Sequence, residues 1–199
     1  MESISFDLLI RNGTVATAGD VVRCDIGIRD GRIAAVGTEL GRAEQVIDAT
    51  GRLVTPGGVD SNWHRELQAG GGAETADDLR SGTLSAAFGG TTTVTPLAIP
   101  LRGQSLRAVV EDYHRRAEGK TLVDYAFHLV MSDPSPQALG QDLPALIRDG
   151  CTSFKIYLTY EGLALADEEV LNVLEAAKRE GALVMVHAEN DAVVRWLTN

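Results

Sequence analysis

The sequence of 199 residues predicts an α/β fold in which a parallel sheet follows a small β unit. Up to about residue 55, short apolar runs are broken by turn residues. Beyond that point five strand-like runs alternate with helical stretches, and the strands start about every thirty residues, the length of one βα unit. Because a βα unit returns the chain to a parallel neighbour, this pattern favours a parallel sheet. The predicted domains are residues 1–55 and 56–199.

The first segment contains two dipeptides that are typical of tight hairpin turns, Asn12-Gly13 and Asp30-Gly31. Each lies between alternating apolar runs, and both positions of such a turn need positive φ, which Asn, Asp and Gly tolerate. We therefore expect a small antiparallel β unit over residues 1–55.

The second segment has strands and helices in strict alternation. Ser105 predicts the start of the helix LRAVVEDYHRRAEG, and Gly181 predicts the end of the helix EEVLNVLEAAKR. A doubly wound sheet could use five strands, whereas a closed (βα)8 barrel needs eight, so the pattern by itself leaves both open. The predicted strands are VDSNWH, TTTVTPLA, DYAFHLVM, SFKIYLTY and ALVMVHA.

The net charge and the cysteine content of the chain limit which partners it can bind and in which cellular compartment it is expected. The chain has 18 Lys and Arg against 28 Asp and Glu, a net charge of -10, which argues against nucleic-acid or anionic-membrane partners. Cys24 and Cys151 lie too far apart for a CxxC motif, which favours a reducing compartment. The first residues, MESISFDLLIRNG, carry acidic groups unlike a signal peptide, and no long apolar run follows. We expect a cytoplasmic protein that handles small polar or neutral ligands.

Polar residues cluster where three predicted strands end. Ligands of parallel α/β folds bind at the carboxyl ends of the strands, so His64, Lys155 and His187 are expected to converge there. Either histidine alone could instead be a hydrogen-bonded structural residue. His128 lies in the middle of its strand, where alternation groups it with Ala126 and Val130 on a face that the sequence does not assign. The residues that share a face by alternation are Asp60, Asn62 and His64; Ser153, Lys155 and Tyr157; and Leu183, Met185 and His187.

Lys155 is the most informative of these residues. It stands between Phe154 and Ile156 in a strand that is expected to be buried, where an ammonium group carries a large desolvation cost unless it is partnered. The lysine must therefore be neutralised, paired or modified. Reaction of the neutral amine with carbon dioxide would give a carbamate whose two oxygens can bridge two metal ions.

Five motifs follow one another along the whole chain: VTPGGVD, a strand end of the D-x-H-x-H kind, GGTTTV, FKIYLTY and VHAEN. In this order they resemble the dihydropyrimidinase/hydantoinase family of cyclic amidohydrolases. The resemblance implies an incomplete (βα)8 TIM-type barrel of about five βα units, preceded by the N-terminal part of a small β-sandwich domain.

The resemblance also implies a reaction and its residues. A hydroxide bridging two divalent metal ions, expected to be zinc, opens a cyclic amide of the dihydropyrimidine or hydantoin type. His64 and His187 are the implied metal ligands, Lys155 the bridging carbamate formed with carbon dioxide, and Tyr160 the residue that steadies the oxyanion. The implied partners are a small cyclic amide or imide and further copies of the chain, since the family forms homotetramers. Neither a nucleic acid nor a membrane is implied.

Two departures from the family pattern lead to a second hypothesis. Asn62 stands where the first histidine of the pair is expected, and a neutral amide oxygen is a poor substitute for imidazole at zinc. The family's remaining histidine and aspartate ligands would follow residue 199, so we expect the N-terminal portion of a longer enzyme, inactive alone. The alternative is a non-catalytic, hydrolase-like protein that acts through protein interaction. Asn62 favours this alternative, whereas the presence of Lys155, Tyr160 and His187 favours the enzyme.

Overall fold

The computed structural model describes residues 5–64 and 75–198. The chain divides into two compact units, Met1–Gly57 and Gly58–Asn199.

The described part of the first unit is built from strands that form one mixed sheet. Its strand order is β3-β2-β1-β4, and β5 also pairs with β1. β1 runs antiparallel to β2 but parallel to β4 and β5, so the prediction of a purely antiparallel unit is wrong. Alternation reports which face a residue occupies but not the direction of the neighbouring strand, so the sequence could not show this. The strands are β1 Ser5–Ala16, β2 Val21–Arg29, β3 Arg32–Gly37, β4 Arg42–Asp48 and β5 Leu53–Val54.

The two predicted hairpin turns have different outcomes. Asp30 and Gly31 have φ values of 51° and 70° and connect β2 to β3 as predicted. Asn12 also has positive φ, 62°, but it lies inside β1, where the register shifts between Ile10 and Gly13. The prediction of a hairpin there is wrong, because the extra residue is accommodated as a β-bulge.

β1 changes its parallel partner at the bulge. Its residues up to Arg11 pair with β4, and Thr14 and Val15 pair with β5. A Cβ at Gly13 would lie 2.6 Å from Cγ2 of Val54, so any larger residue there would force the Val54 side chain to shift.

The second unit is a parallel sheet with helices between its strands, as predicted. The order is β11-β10-β9-β7-β6, with β8 pairing β7, and each of these pairs is parallel. The strands are β6 Gly58–Trp63, β7 Thr91–Ala98, β8 Asp124–Tyr125, β9 His128–Val130, β10 Ser153–Tyr157 and β11 Leu183–His187. The helices are α1 Leu79–Phe88, α2 Leu106–Ala117, α3 Leu143–Arg148, α4 Asp167–Glu180 and α5 Asp191–Thr198, with a π-helical turn at Ala138–Asp142.

Helix boundaries follow the predicted capping residues. The side chain of Ser105 accepts a hydrogen bond from the amide of Ala108 at the start of α2. Gly181 ends α4 in the left-handed conformation, with φ of 73°. No described helix is long and apolar enough to cross a membrane.

The parallel sheet has one face toward the helices and a second face that carries the polar strand-end residues. Phe154, Ile156 and Leu129 are fully buried in the large core beneath the helices. On the other face Leu97, Val130 and Tyr157 form a small separate cluster. Because side chains alternate along a strand, Ser153, Lys155 and Tyr157 share this second face, called the lumen face below.

Candidate functional site

Lys155 and His187 meet at one aromatic ring on the lumen face. Tyr157 pairs with His187 in the register of β10 and β11, and the two rings stack with centroids 5.4 Å apart. The Lys155 ammonium lies over the same Tyr157 ring, 5.6 Å from its centroid. Lys155 is only 8% exposed, and no carboxylate among the described residues pairs with it. Two of the three residues that were expected to converge are therefore brought together by Tyr157.

His187 retains a buried nitrogen atom without a hydrogen bond. Its Nε2 lies 3.0 Å from Oε2 of Glu189. The atom nevertheless has no hydrogen-bond partner, so the two groups are close but poorly aligned, and we describe a contact rather than a bond. A further group that took up this nitrogen would therefore have to compete with the Glu189 carboxylate.

Tyr160 follows the end of β10 in an unusual backbone conformation. Its φ is 77°, a left-handed value that is costly for a bulky residue and that is common at functional sites. The turn is held by its own carbonyl, which accepts hydrogen bonds from the amides of Leu163 and Ala164. The Thr159 hydroxyl adds a bond of 2.9 Å to Asp191 at the start of α5.

Glu189 links Tyr160 to His187 and was not singled out by the sequence. The Tyr160 hydroxyl donates to Oε2 of Glu189 at 3.4 Å, and the Tyr160 ring lies 5.0 Å from that of His187. The contact with His187, and after it the bond from Tyr160, holds the pKa of Glu189 below its ordinary value. Desolvation, and then the charge of Glu189, raises the pKa of Tyr160 and keeps the phenol protonated.

Asn62 and His64 are paired with each other on the exposed side of β6. Trp63, between them, is buried in the core beneath the helices, so its two neighbours point the opposite way. Oδ1 of Asn62 accepts a hydrogen bond from Nε2 of His64 at 3.1 Å, and Oδ1 of Asp60 accepts from the Asn62 amide at 3.1 Å. The side-chain amide of Asn62 therefore occupies the space that the His64 imidazole reaches.

His128 is a buried lumen residue that sequence reasoning did not place. It is 7% exposed, and its ring bonds the Ser153 hydroxyl through Nδ1 and the Ser61 carbonyl through Nε2, the latter at 2.7 Å. Burial lowers the pKa of His128, the charge of Lys155 lowers it further, and the bond to Ser61 opposes both. The predicted strand DYAFHLVM is divided into β8 and β9, and within β9 His128 shares the lumen face with Val130.

The side chains on the lumen face provide only some of the ligands that a metal ion needs. His187 offers a buried nitrogen without a hydrogen bond, His64 offers a second imidazole, and Lys155 becomes a ligand only as a carbamate. Among the described residues, no group of three or more His, Cys, Asp and Glu is arranged to hold a metal ion. The predicted ligand set of His64, Lys155, His187 and the degenerate position Asn62 therefore remains a prediction.

Comparison with known proteins confirms the resemblance to the dihydropyrimidinase/hydantoinase family. No family model matches the chain. Among curated proteins, the D-hydantoinase of Geobacillus stearothermophilus is 45% identical over 193 residues, which cover 96% of this chain and 41% of that protein. The D-hydantoinase of Streptomyces coelicolor is 42% identical over 193 residues, 94% of this chain and 41% of the relative. The chain thus spans about two fifths of the length of these relatives.

Solved structures confirm the fold class. The crystal structure of dihydropyrimidinase from Brevibacillus agri matches with a TM-score of 0.91 and 40% identity, over 96% of this chain and 41% of that one. A crystal structure of D-hydantoinase matches with a TM-score of 0.90 and 41% identity, over 96% and 42% of the two chains. The parallel sheet is therefore part of a TIM-type barrel, and the mixed sheet corresponds to the small sheet domain of these structures.

Proposed function

Given a chain that resembles hydantoinases over 96% of its own length, we propose that it supplies part of the active site of a metal-dependent cyclic amidohydrolase. The proposed substrates are small cyclic amides or imides of the dihydropyrimidine or hydantoin type. The observation that carries the proposal is the meeting of Lys155 and His187 on the ring of Tyr157, with a buried His187 nitrogen left without a hydrogen bond.

The lumen residues would hold two divalent ions, proposed to be zinc. His64 and His187 would provide imidazole nitrogens, and Lys155, after reaction with carbon dioxide, would provide two carbamate oxygens. When bound, such ions polarise a carbonyl and lower the pKa of water toward neutrality. The carbamate has a physical rationale in this chain, because it replaces a buried cation by an anion where cations are to be bound.

Tyr160 would stabilise the charge that develops on the substrate carbonyl oxygen. Its phenol is kept protonated by the raised pKa, so it can donate a hydrogen bond. The left-handed φ of Tyr160 takes its backbone out of the strand conformation, and the hydrogen bonds from Leu163 and Ala164 to its carbonyl hold that turn. In the structure Glu189 accepts a hydrogen bond from the Tyr160 hydroxyl. This bond would hold the phenol in place until a substrate oxygen takes over as the acceptor.

A non-catalytic role is the second candidate, and one observation favours it. Oδ1 of Asn62 accepts the hydrogen of His64 Nε2, so the amide engages the nitrogen that would otherwise face a metal. A chain with this pair could keep the fold and act through protein contacts. Cytoplasmic location and homo-oligomer formation likewise remain predictions.

A chimera separates the two candidates. Residues 1–199 would replace the matching part of the Geobacillus stearothermophilus D-hydantoinase, and bound zinc and hydrolysis of dihydrouracil and hydantoin would be measured. The catalytic proposal predicts zinc and turnover that are abolished by Lys155→Gln but kept by Lys178→Gln, a change at an exposed lysine of α4. A folded chimera that binds no zinc and hydrolyses neither ring would support the non-catalytic role.

A further inference from the structure

β6 pairs irregularly with its sheet neighbour at the end that carries Asn62 and leads into His64. The register of β6 with β7 shifts between Asp60 and Trp63, where three residues of β6 advance along two of β7. The residue of β7 opposite Trp63 is Pro96, which has no amide hydrogen to donate. The carbonyl of Ser61 lies within this irregular stretch, and as a backbone acceptor it still needs a donor.

His128 supplies that donor from the far side of β7. Its Nε2 lies 2.7 Å from the Ser61 carbonyl oxygen, although β7 separates β9 from β6 in the sheet. Because a carbonyl can only accept, Nε2 must carry the hydrogen. The bonded carbonyl belongs to the residue immediately before Asn62.

The other nitrogen of His128 is fixed by β10. Nδ1 bonds the Ser153 hydroxyl, and Ser153 lies two residues before Lys155 on the lumen face. A hydroxyl can donate, so an imidazole with hydrogen on Nε2 and a bare Nδ1 satisfies both partners at once. One buried ring therefore spans from the strand of Lys155 to the strand of Asn62 and His64.

We propose that His128 is a positioning residue, which fixes the β6 backbone before Asn62 and His64 relative to the Lys155 strand through Ser61 and Ser153. The inference rests on the proposed function for its consequence, namely that the ligands on the two strands are kept at the spacing a metal requires. Its geometric part does not depend on any metal.

Two substitutions of His128 separate its hydrogen bond to Ser61 from its hydrogen bond to Ser153. His128→Gln places an amide near the position of Nε2 and can still donate to Ser61, whereas His128→Asn places its oxygen near the position of Nδ1 and can serve only Ser153. Ser153→Ala removes the second bond without changing the ring. Ser132→Ala is the matched control, because Ser132 is a buried serine whose hydroxyl donates to the Pro100 carbonyl.

The first measurement is NMR of the 199-residue chain without metal. Nitrogen shifts of the His128 ring should show hydrogen on Nε2 and a bare Nδ1 at neutral pH. The Ser61 carbonyl and Asn62 amide signals should move in His128→Asn and stay near their wild-type positions in His128→Gln and Ser132→Ala. Hydrogen on Nδ1, or the same shifts in the Gln and Asn variants, would overturn the proposal.

The second measurement is zinc affinity of the same proteins in bicarbonate buffer. We expect His128→Asn to bind zinc about 10-fold to 100-fold more weakly, the range for supporting groups around metal ligands, with Ser132→Ala unchanged. If His128→Asn shifts the Ser61 signal but binds zinc as the wild type does, the positioning role is overturned. If the wild type itself binds no zinc, the proposed metal site fails, while the NMR result still decides whether His128 holds β6.

Discussion

Asn62→His is expected to strengthen zinc binding more than any other single change on the lumen face. In the structure the amide oxygen of Asn62 is 3.1 Å from Nε2 of His64, so groups at these two positions reach the same space. A second imidazole would give β6 two nitrogen ligands and would release His64 from its bond to the amide. Imidazole suits zinc far better than a neutral amide oxygen does.

The size of the change in zinc affinity follows from comparing the added metal ligand with the lost hydrogen bond between Asn62 and His64. Even groups one step removed from a metal change its affinity by about 10-fold to 100-fold, so a direct ligand should gain at least that much. This corresponds to about 1.4 to 2.8 kcal/mol. The lost bond between Asn62 and His64 is exposed and contributes about 1 kcal/mol or less. The gain in zinc affinity should therefore exceed the loss.

The assay is calorimetric titration of the 199-residue chain with zinc in bicarbonate buffer. Asn62→Gln keeps an amide without adding a ligand, and Gln141→His adds an imidazole at an exposed position of the π-helical turn. Only Asn62→His should tighten binding, by about tenfold or more. If the asparagine chain binds two zinc ions as tightly as the histidine variant, Asn62 is a competent ligand or none is needed there, and the reasoning fails.

Four further predictions test the site and the fold. With labelled carbon dioxide and zinc, carbon-13 NMR should show a carbamate on Lys155 that Lys155→Gln removes; an unmodified amine in a metal-loaded, active chimera would contradict this. Tyr160→Phe should lower kcat of that chimera by about 100-fold to 1,000-fold and leave KM nearly unchanged, and an unaltered kcat would remove the oxyanion role. Because the folded pKa of His128 is below its ordinary 6.5, the unfolded chain binds the proton first, so stability should fall as pH drops below 6.5, with a flatter profile in His128→Gln. Thr83→Val should cost about 1–3 kcal/mol in urea unfolding, because it leaves the Leu122 amide without its acceptor, while Thr83→Ser should cost less.

The strands and helices of the second unit could be predicted because local signals determine them. Ser105 and Gly181 cap helices through bonds to neighbouring residues, which are visible in the sequence. The direction of β4 relative to β1 could not be predicted, since it depends on how the chain returns across the sheet. The Asn12-Gly13 bulge was misread for a similar reason: the dipeptide specifies positive φ, and only the strands beside it decide between a turn and a bulge.

The candidate site could be predicted at strand ends and not elsewhere. Alternation and the rule for parallel sheets bring Lys155 and His187 to one ring without any knowledge of the fold. His128 and Glu189 depend on contacts with residues far away in the sequence, Ser61 and Tyr160 respectively, which no local pattern records.

Lys155 also provides the strongest argument between the two candidate functions. Folding alone gives no reason for a lysine there, because methionine would fill the same space without removing an ammonium group from water. The contact of the ammonium group with the Tyr157 ring stabilises the folded chain by about 0.5 to 2 kcal/mol. No carboxylate among the described residues adds an ion pair with Lys155. A chain that served only as an interaction module should therefore tolerate or gain stability from Lys155→Met, with no loss of any other property. The catalytic hypothesis accepts the same stability result but requires zinc binding to be lost, so measuring both on one variant distinguishes a lysine kept for chemistry from one that merely remains.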